Sequence, residues 1–177
     1  MKLVILDRDG TINHDSDDYI KSPEEWRPIE GSLEAIARLT QADYRVVVAT
    51  NQSGLARGLF DTRTLFAIHD LLQRAAGQVG GRIDAFFFCP HAPEAACECR
   101  KPQPGMLLEA ARRFNVALEE VTMVGDARRD LEAAAAAGAR PVLVLTGKGR
   151  KTRDAGGLPP GTEVFADLAA FAAHLAP

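Results

Sequence analysis

Four short segments of this chain carry side chains that can act together on a phosphate. The first is Asp7-Arg8-Asp9-Gly10-Thr11. Carboxylates at i and i+2 of an extended chain point to the same side. So close together they repel, which favours a shared proton or a bound cation. The second segment, Gly125-Asp126-Ala127-Arg128-Arg129-Asp130, adds two more acids. Thr50-Asn51-Gln52-Ser53-Gly54 supplies a hydroxyl, amides and backbone donors, and Arg100-Lys101-Pro102 sets two positive charges before a helix. Carboxylates able to hold Mg²⁺, together with a hydroxyl and a lysine, suit phosphoryl transfer, which mainly requires positioning and charge neutralisation. Taken singly, each segment has an ordinary structural reading: a solvated turn, a helix N-cap, a surface lysine, a tight turn. Their joint occurrence, each at the end of a predicted strand, makes them a candidate active site.

A second cluster points to another metal. Cys89-Pro90-His91 and Cys97-Glu98-Cys99 put four soft ligands within eleven residues and contain every cysteine of the chain. The ordinary reading is incidental thiols beside a surface histidine. Three thiolates and an imidazole in a short polar loop suit a tetrahedral Zn²⁺ instead, and a full set of protein ligands gives it a structural role. Arg100 and Lys101 follow the last ligand directly, so the metal would fix where they point. His14, His69 and His174 stand alone and read as surface or structural residues. The acidic run His14–Tyr19 reads on charge alone as a solvated loop.

These groups need a scaffold. Lys2–Leu6, Tyr44–Thr50, Ile83–Cys89, Val121–Gly125 and Pro141–Thr146 are short apolar runs, each ending at Gly, Asp, Asn or Pro. Such runs suit parallel strands buried on both faces. Helical patterns fall between them at Ser32–Ala42, with Ser32 as N-cap, at Thr62–Val79, at Pro104–Phe114, and at Asp130–Ala137, which stops at Gly138. A Thr162–Phe165 strand and an Asp167–Leu175 helix are expected to close the chain. Gly147–Gly161 reads as a surface loop without assignable chemistry. Alternation of this kind gives βαβ units and a mainly parallel sheet with helices on both faces, with ligands outside the carboxyl ends of the strands.

Composition narrows the function further. Of 177 residues, 46% are hydrophobic and 25% charged, the proportions of a globular protein, with one domain expected over residues 1–177 and the zinc loop at 89–99. The net charge of −3 argues against a general nucleic-acid binder. No apolar run approaches the ~20 residues of a membrane span. The run Leu3–Leu6 stops at charged residues, so no signal peptide is expected, and the cytoplasm with reduced thiols is the expected setting. A monomer with a small-molecule substrate, and neither nucleic-acid nor membrane partner, is expected.

The set Asp7-x-Asp9-x-Thr11, Thr50-Asn51, Lys101 and Gly125-Asp126-x-x-x-Asp130 resembles the four signature motifs of haloacid-dehalogenase-type phosphatases. Asp7–Asn13, Thr50–Gly58, and Cys89-Pro90-His91 with Cys99-Arg100-Lys101-Pro102 are similar to the branch acting on heptose bisphosphates. Histidinol-phosphate phosphatases share much of the pattern. The resemblance implies a Rossmann-like three-layer α/β sandwich, capped by loops alone and carrying a zinc loop. It implies Mg²⁺-dependent removal of the C7 phosphate of a heptose 1,7-bisphosphate, a step in ADP-heptose and lipopolysaccharide-core biosynthesis.

By that resemblance Asp7 is the nucleophile that forms an aspartyl-phosphate, and Asp9 the acid and then the base. Thr50 and Lys101 stabilise the phosphoryl oxygens. Asp7, the Asp9 carbonyl and Asp126 hold Mg²⁺, while Cys89, His91, Cys97 and Cys99 hold zinc. Asp15, Asp18, Tyr19, Asn51, Gln52, Ser53 and Arg100 contact the substrate, and Asp130 orients Lys101. An acid role for Asp9 requires a pKa above its free value of about 3.9. Heptose-bisphosphate phosphatases can carry a lysine after the motif-four aspartate. Here Ala127 stands there, followed by Arg128 and Arg129. A receiver-like phosphoacceptor domain is the alternative of a different class. Receivers lack an acid two residues after the phosphorylated aspartate, so Asp9 favours an enzyme.

Overall fold

The computed structural model describes all 177 residues. Six strands form one sheet in the order β3-β2-β1-β4-β5-β6: β1 (Lys2–Leu6), β2 (Tyr44–Asn51), β3 (Ala85–Cys89), β4 (Thr122–Gly125), β5 (Arg140–Val144) and β6 (Glu163–Phe165). Every pairing is parallel, in agreement with the apolar character of the runs. The chain builds outward from β1 to β3 and then returns to place β4 on the other side of β1. The gap between β1 and β4 is therefore the topological switch point, where open α/β sheets bind ligands.

Alternation along each strand divides the core. Val4 and Leu6 of β1 and Val46 and Val48 of β2 face helices α1 (Ser32–Gln41), α2 (Thr62–Gln78) and α6 (Leu168–Leu175). Leu3, Ile5, Val47 and Ala49 face α3 (Gly105–Phe114) and α4 (Arg128–Ala137). A strand covered on both faces can be apolar at successive positions. The small side chains of Ala133 and Ala134 are fully buried where α4 lies against the sheet, and Gly138 ends that helix at a positive φ of 82°. Trp26 is buried in the first core and packs the loop after β1 onto the domain.

Two local expectations are corrected. Ser32 does not cap α1. It is the first residue of that helix, Gly31 holds the N-cap position, and the Ser32 hydroxyl donates to the Ile12 carbonyl at 2.7 Å. Gly147–Gly161 is not an irregular loop. It contains α5 (Gly149–Ala155), whose entry is docked against the ends of β1 and β4. No helix is long and apolar enough to cross a membrane.

Candidate active site

Asp7 leaves β1 with its main-chain N–H bonded to the Val124 carbonyl of β4, which sets it at the switch point. Its Oδ1 accepts from the Arg8 N–H at 2.8 Å and lies 2.9 Å from Lys101 Nζ. Both donors occupy that one oxygen. Lys101 is wholly buried, and its ammonium also donates to Asp130 Oδ1 at 2.7 Å and to the Ala49 carbonyl at 2.8 Å. Asp130 in turn accepts from the Ala127 N–H through Oδ2, which fixes the carboxylate that the lysine meets. Asn51 bonds the Lys101 main chain twice, accepting from its N–H and donating to its carbonyl, each at 3.0 Å.

The carboxylates of Asp7, Asp126 and Asp130 lie within 4.8 Å of one another. Burial, then repulsion from Asp130, pushes Asp7 up to about 6 against the pull of Lys101 and Arg129. Burial, then Asp7 and Asp130, pushes Asp126 up to about 8. Asp126 Oδ2 accepts from the Lys148 N–H at 2.8 Å, whereas its buried Oδ1 has no partner. A crowded acid cluster with an orphaned oxygen fits a hard divalent cation with oxygen ligands. Gly10 completes the approach. At φ 84°, a Cβ there would stand 2.1 Å from Asp126 Oδ2.

Asp9 differs from expectation. Its carboxylate turns away from the acid cluster, so only its main-chain carbonyl is left to serve a metal. Arg8 Nε and Asn13 Nδ2 donate to Oδ1 at 2.9 Å each, and Gln52 Nε2 donates to Oδ2 at 3.1 Å. Burial alone would raise its pKa, but the Arg8 guanidinium and the two amides outweigh burial and hold it below the ordinary aspartate value. Gln52 also donates to the Thr50 hydroxyl at 2.9 Å, tying the motif-two threonine to Asp9.

A pocket of about 210 Å³ opens above this floor. Asp9 lines it, together with Asp15, Tyr19, Asn51, Gln52, Ser53 and Arg100 of the residues expected to contact the substrate. Asp18 does not. It is exposed outside the pocket, and Ser16 and Asp17 take its place. Tyr19, at φ 65°, turns the loop there, and a one-residue offset in such a loop exchanges which side chains face inward. Arg129, one of the two arginines the sequence offers after Ala127, and Lys148, which sequence reasoning missed, complete the wall. Burial works against the Arg129 charge, but Asp7, Asp130, Asp126 and Asp15 outweigh it. Arg128 points elsewhere, to the Gly156 and Gly157 carbonyls. A larger, shallower hollow of about 600 Å³ between Lys2, Arg38, Tyr44 and Pro177, at the opposite end of the strands, gathers no comparable set.

The four soft ligands also converge. Cys89 Sγ lies 3.1 Å from Cys99 Sγ, 3.8 Å from Cys97 Sγ and 3.4 Å from His91 Nδ1, and His91 Nδ1 lies 3.3 Å from Cys99 Sγ. Tetrahedral zinc, with bonds of about 2.3 Å to sulfur and about 2.0 Å to nitrogen, separates its ligands by about 3.5–3.8 Å, so the donor set fits that ion. Burial, then the Cys99 contact, pushes the Cys89 thiol up to about 12, so a thiolate there needs a cation beside it. Arg100 NH1 approaches the His91 carbonyl at 3.4 Å, which ties the guanidinium to this loop.

A parallel sheet with an Asp-x-Asp pair after β1, a threonine at the carboxyl end of β2, a buried lysine before α3 and paired acids after β4 defines a haloacid-dehalogenase-like hydrolase. A HAD-hydrolase-like family model matches residues 98–171. A D-glycero-beta-D-manno-heptose-1,7-bisphosphate 7-phosphatase of Bordetella bronchiseptica is 63% identical over 99% of this chain and 98% of its own length. The enzyme of the same name from Pseudomonas putida is 54% identical over 99% of each chain. A crystal structure of the B. bronchiseptica D,D-heptose 1,7-bisphosphate phosphatase, complexed with magnesium and phosphate, superposes with a TM-score of 0.97 over 99% of this chain and 98% of that one. The chain belongs to the family of D-glycero-beta-D-manno-heptose-1,7-bisphosphate 7-phosphatases.

Proposed function

We propose that this chain is a Mg²⁺-dependent phosphatase that removes the C7 phosphate of D-glycero-β-D-manno-heptose 1,7-bisphosphate. The observation that carries the reading is one pocket with two characters. Its floor is the Asp7–Lys101–Asp130 array beside the unpartnered Asp126 oxygen, and its wall carries Arg100, Arg129 and Lys148. A floor of that kind suits a reacting phosphoryl group, and three cations suit a second phosphate. The names of relatives 50–63% identical over nearly the whole chain support the substrate and its β anomer. The magnesium and phosphate of the B. bronchiseptica structure support the metal.

Asp7, through the oxygen that Lys101 leaves free, attacks phosphorus in line, and the bond from phosphorus to the C7 oxygen breaks. Asp9 gives a proton to the departing oxygen and then takes one from the water that hydrolyses the aspartyl-phosphate. The ionised rotamer held by Arg8 is the form needed for the second half. The acid form requires the carboxyl to leave Arg8, and a dianionic substrate alongside favours its protonation. Thr50 and Lys101 bind the transferring oxygens. The Asp7 and Asp126 carboxylates and the Asp9 carbonyl would hold Mg²⁺, which neutralises charge on the phosphoryl group. Asp15 and Tyr19 accept from sugar hydroxyls, and Arg100 contacts the remote phosphate. Cys89, His91, Cys97 and Cys99 would hold a structural zinc, which would fix the loop that carries Arg100.

Phosphate release with Mg²⁺ from the β and α heptose 1,7-bisphosphates and from histidinol phosphate tests this reading. The β bisphosphate is expected to give the highest kcat/KM. Histidinol phosphate hydrolysed as efficiently would replace it with the rival.

A further inference from the structure

The turn between β5 and α5 sends a single side chain to the pocket, Lys148. Its main chain is fixed to the reacting end of the site at several points. The Lys148 N–H donates to Asp126 Oδ2 at 2.8 Å, the Thr146 hydroxyl to the Gly10 carbonyl at 2.7 Å, and the Thr152 hydroxyl to the Asp126 carbonyl at 2.9 Å. The residues flanking Lys148 have no room for side chains. A Cβ on Gly147, at φ 53°, would stand 2.2 Å from Asp126 Oδ2 and 2.6 Å from the Gly10 Cα. One on Gly149 would stand 1.8 Å from the Val144 carbonyl oxygen. The turn therefore approaches the acid cluster as bare backbone and projects one ammonium over the pocket.

That ammonium pairs with Asp15, from the loop after β1, at 3.4 Å. The lysine side chain is 47% exposed, and the separation is long for an ion pair. Pairs of this kind are worth about 0–1 kcal/mol, so a phosphate dianion entering the pocket displaces the carboxylate at little cost. Ala127 provides no cation, and Arg128 is committed to the Gly156 and Gly157 carbonyls.

We propose that Lys148 binds the phosphate of the substrate that is not hydrolysed, and that Asp15 holds the lysine over the pocket until the substrate arrives. This rests on the bisphosphate reading above. The remote contact contributes binding energy that helps position the reacting phosphate, so it acts on the preference for bisphosphate over monophosphate.

The test measures kcat/KM for heptose 1,7-bisphosphate and for heptose 7-phosphate in the wild type, Lys148→Met, Lys148→Gln, Lys148→Arg and Asp15→Asn. The wild type is expected to prefer the bisphosphate. Lys148→Met and Lys148→Gln are expected to lower the ratio of the two efficiencies tenfold or more, mainly through KM. Lys148→Arg should restore most of it, and Asp15→Asn, which lowers both efficiencies through the sugar contact, should lower their ratio far less than Lys148→Met does. A wild type without preference would overturn the bisphosphate reading itself. A wild-type preference that both neutral variants retain would overturn the role of Lys148 alone. Asp15→Asn lowering the ratio as far as Lys148→Met would show that the lysine only tethers the loop, and would overturn it as well.

Discussion

Arg8 Nε donates to Asp9 Oδ1 at 2.9 Å, and the arginine that makes this contact is entirely buried. Its NH2 lies 2.8 Å from the same oxygen, off the hydrogen-bonding direction. The residue between the two motif-one aspartates is thus the counter-ion of the second one. It fixes the rotamer in which Asp9 stands beside Gln52 and Thr50.

Arg8→Met is expected to leave Asp9, partly exposed at the pocket floor, without its charge partner. A surface pair is worth about 0–1 kcal/mol and breaking a fully buried one costs about 3–5 kcal/mol, so this half-buried pair lies between, at about 2 kcal/mol. Urea unfolding should show a loss near that size, whereas Arg74→Ala, at the exposed i,i+4 pair with Asp70, should change stability little. A stable Arg8→Met variant with wild-type kcat would contradict the positioning of Asp9 by Arg8.

Asp7→Asn is expected to abolish turnover, lowering kcat by about 10³-fold or more, because it removes the nucleophile. The fold should be retained or stabilised. The substitution changes little volume, keeps an acceptor for Lys101 and removes a charge disfavoured by burial, then by repulsion from Asp130, which together hold the Asp7 pKa up to about 6. Phosphate release and thermal unfolding, measured on the same sample, check both halves.

Zinc should be found at about one ion per chain and should survive dialysis that removes Mg²⁺. Cys97→Ser is expected to loosen it, to lower Tm, and to reduce kcat/KM through Arg100, which is bonded to the His91 carbonyl. Metal analysis and kinetics of the variant provide the readouts. A zinc-free preparation with normal stability would remove the assignment.

His69 gives the fold an acid sensitivity. It is buried, stacks on Phe86 with ring centroids 4.4 Å apart, and its Nε2 has no partner. Burial, then the Arg8 charge, draws its pKa down to about 3. The unfolded chain, with an ordinary histidine near 6.5, binds the proton first as pH falls. Stability is therefore intact above about pH 6.5 and is lost progressively toward pH 3. By pH 5 the loss is about 2 kcal/mol. Urea unfolding at pH 7 and pH 5 should show a smaller acid loss in His69→Leu than in the wild type. Equal losses would mean that the imidazole takes up its proton without unfolding.

The fold and the four motifs were legible because each strand is a continuous apolar run that ends at a charged or polar residue. The ligand spacing of Cys89, His91, Cys97 and Cys99 was legible for the same reason: these are local signals. Three features were not. The Gly147–Gly161 segment has the composition of a loop, and only its contact with Asp126, more than twenty positions earlier, gives Lys148 a place in the site. The expected elevation of Asp9 was wrong in direction for the arrangement seen, because side-chain burial decides whether an adjacent arginine faces solvent or its neighbour. The arginine that faces the pocket could not be chosen from Arg128 and Arg129, since successive helix residues point about 100° apart and the start of α4 sets the direction.

The sequence by itself determined which chemistry is available. Residue types at strand ends and at ligand spacing are covalent facts, and parallel strands buried on both faces leave little freedom in where their carboxyl ends lie. The tertiary structure alone decided which groups meet and in what state. Asn51 bonds to the Lys101 main chain rather than standing free, Asp9 faces Arg8 rather than Asp7, and Lys148 comes from the turn after β5 to pair with Asp15. Each of these depends on distance and burial between segments far apart in the chain or on the direction of one side chain. Electrostatic energies at such short range change by several kcal/mol with that geometry.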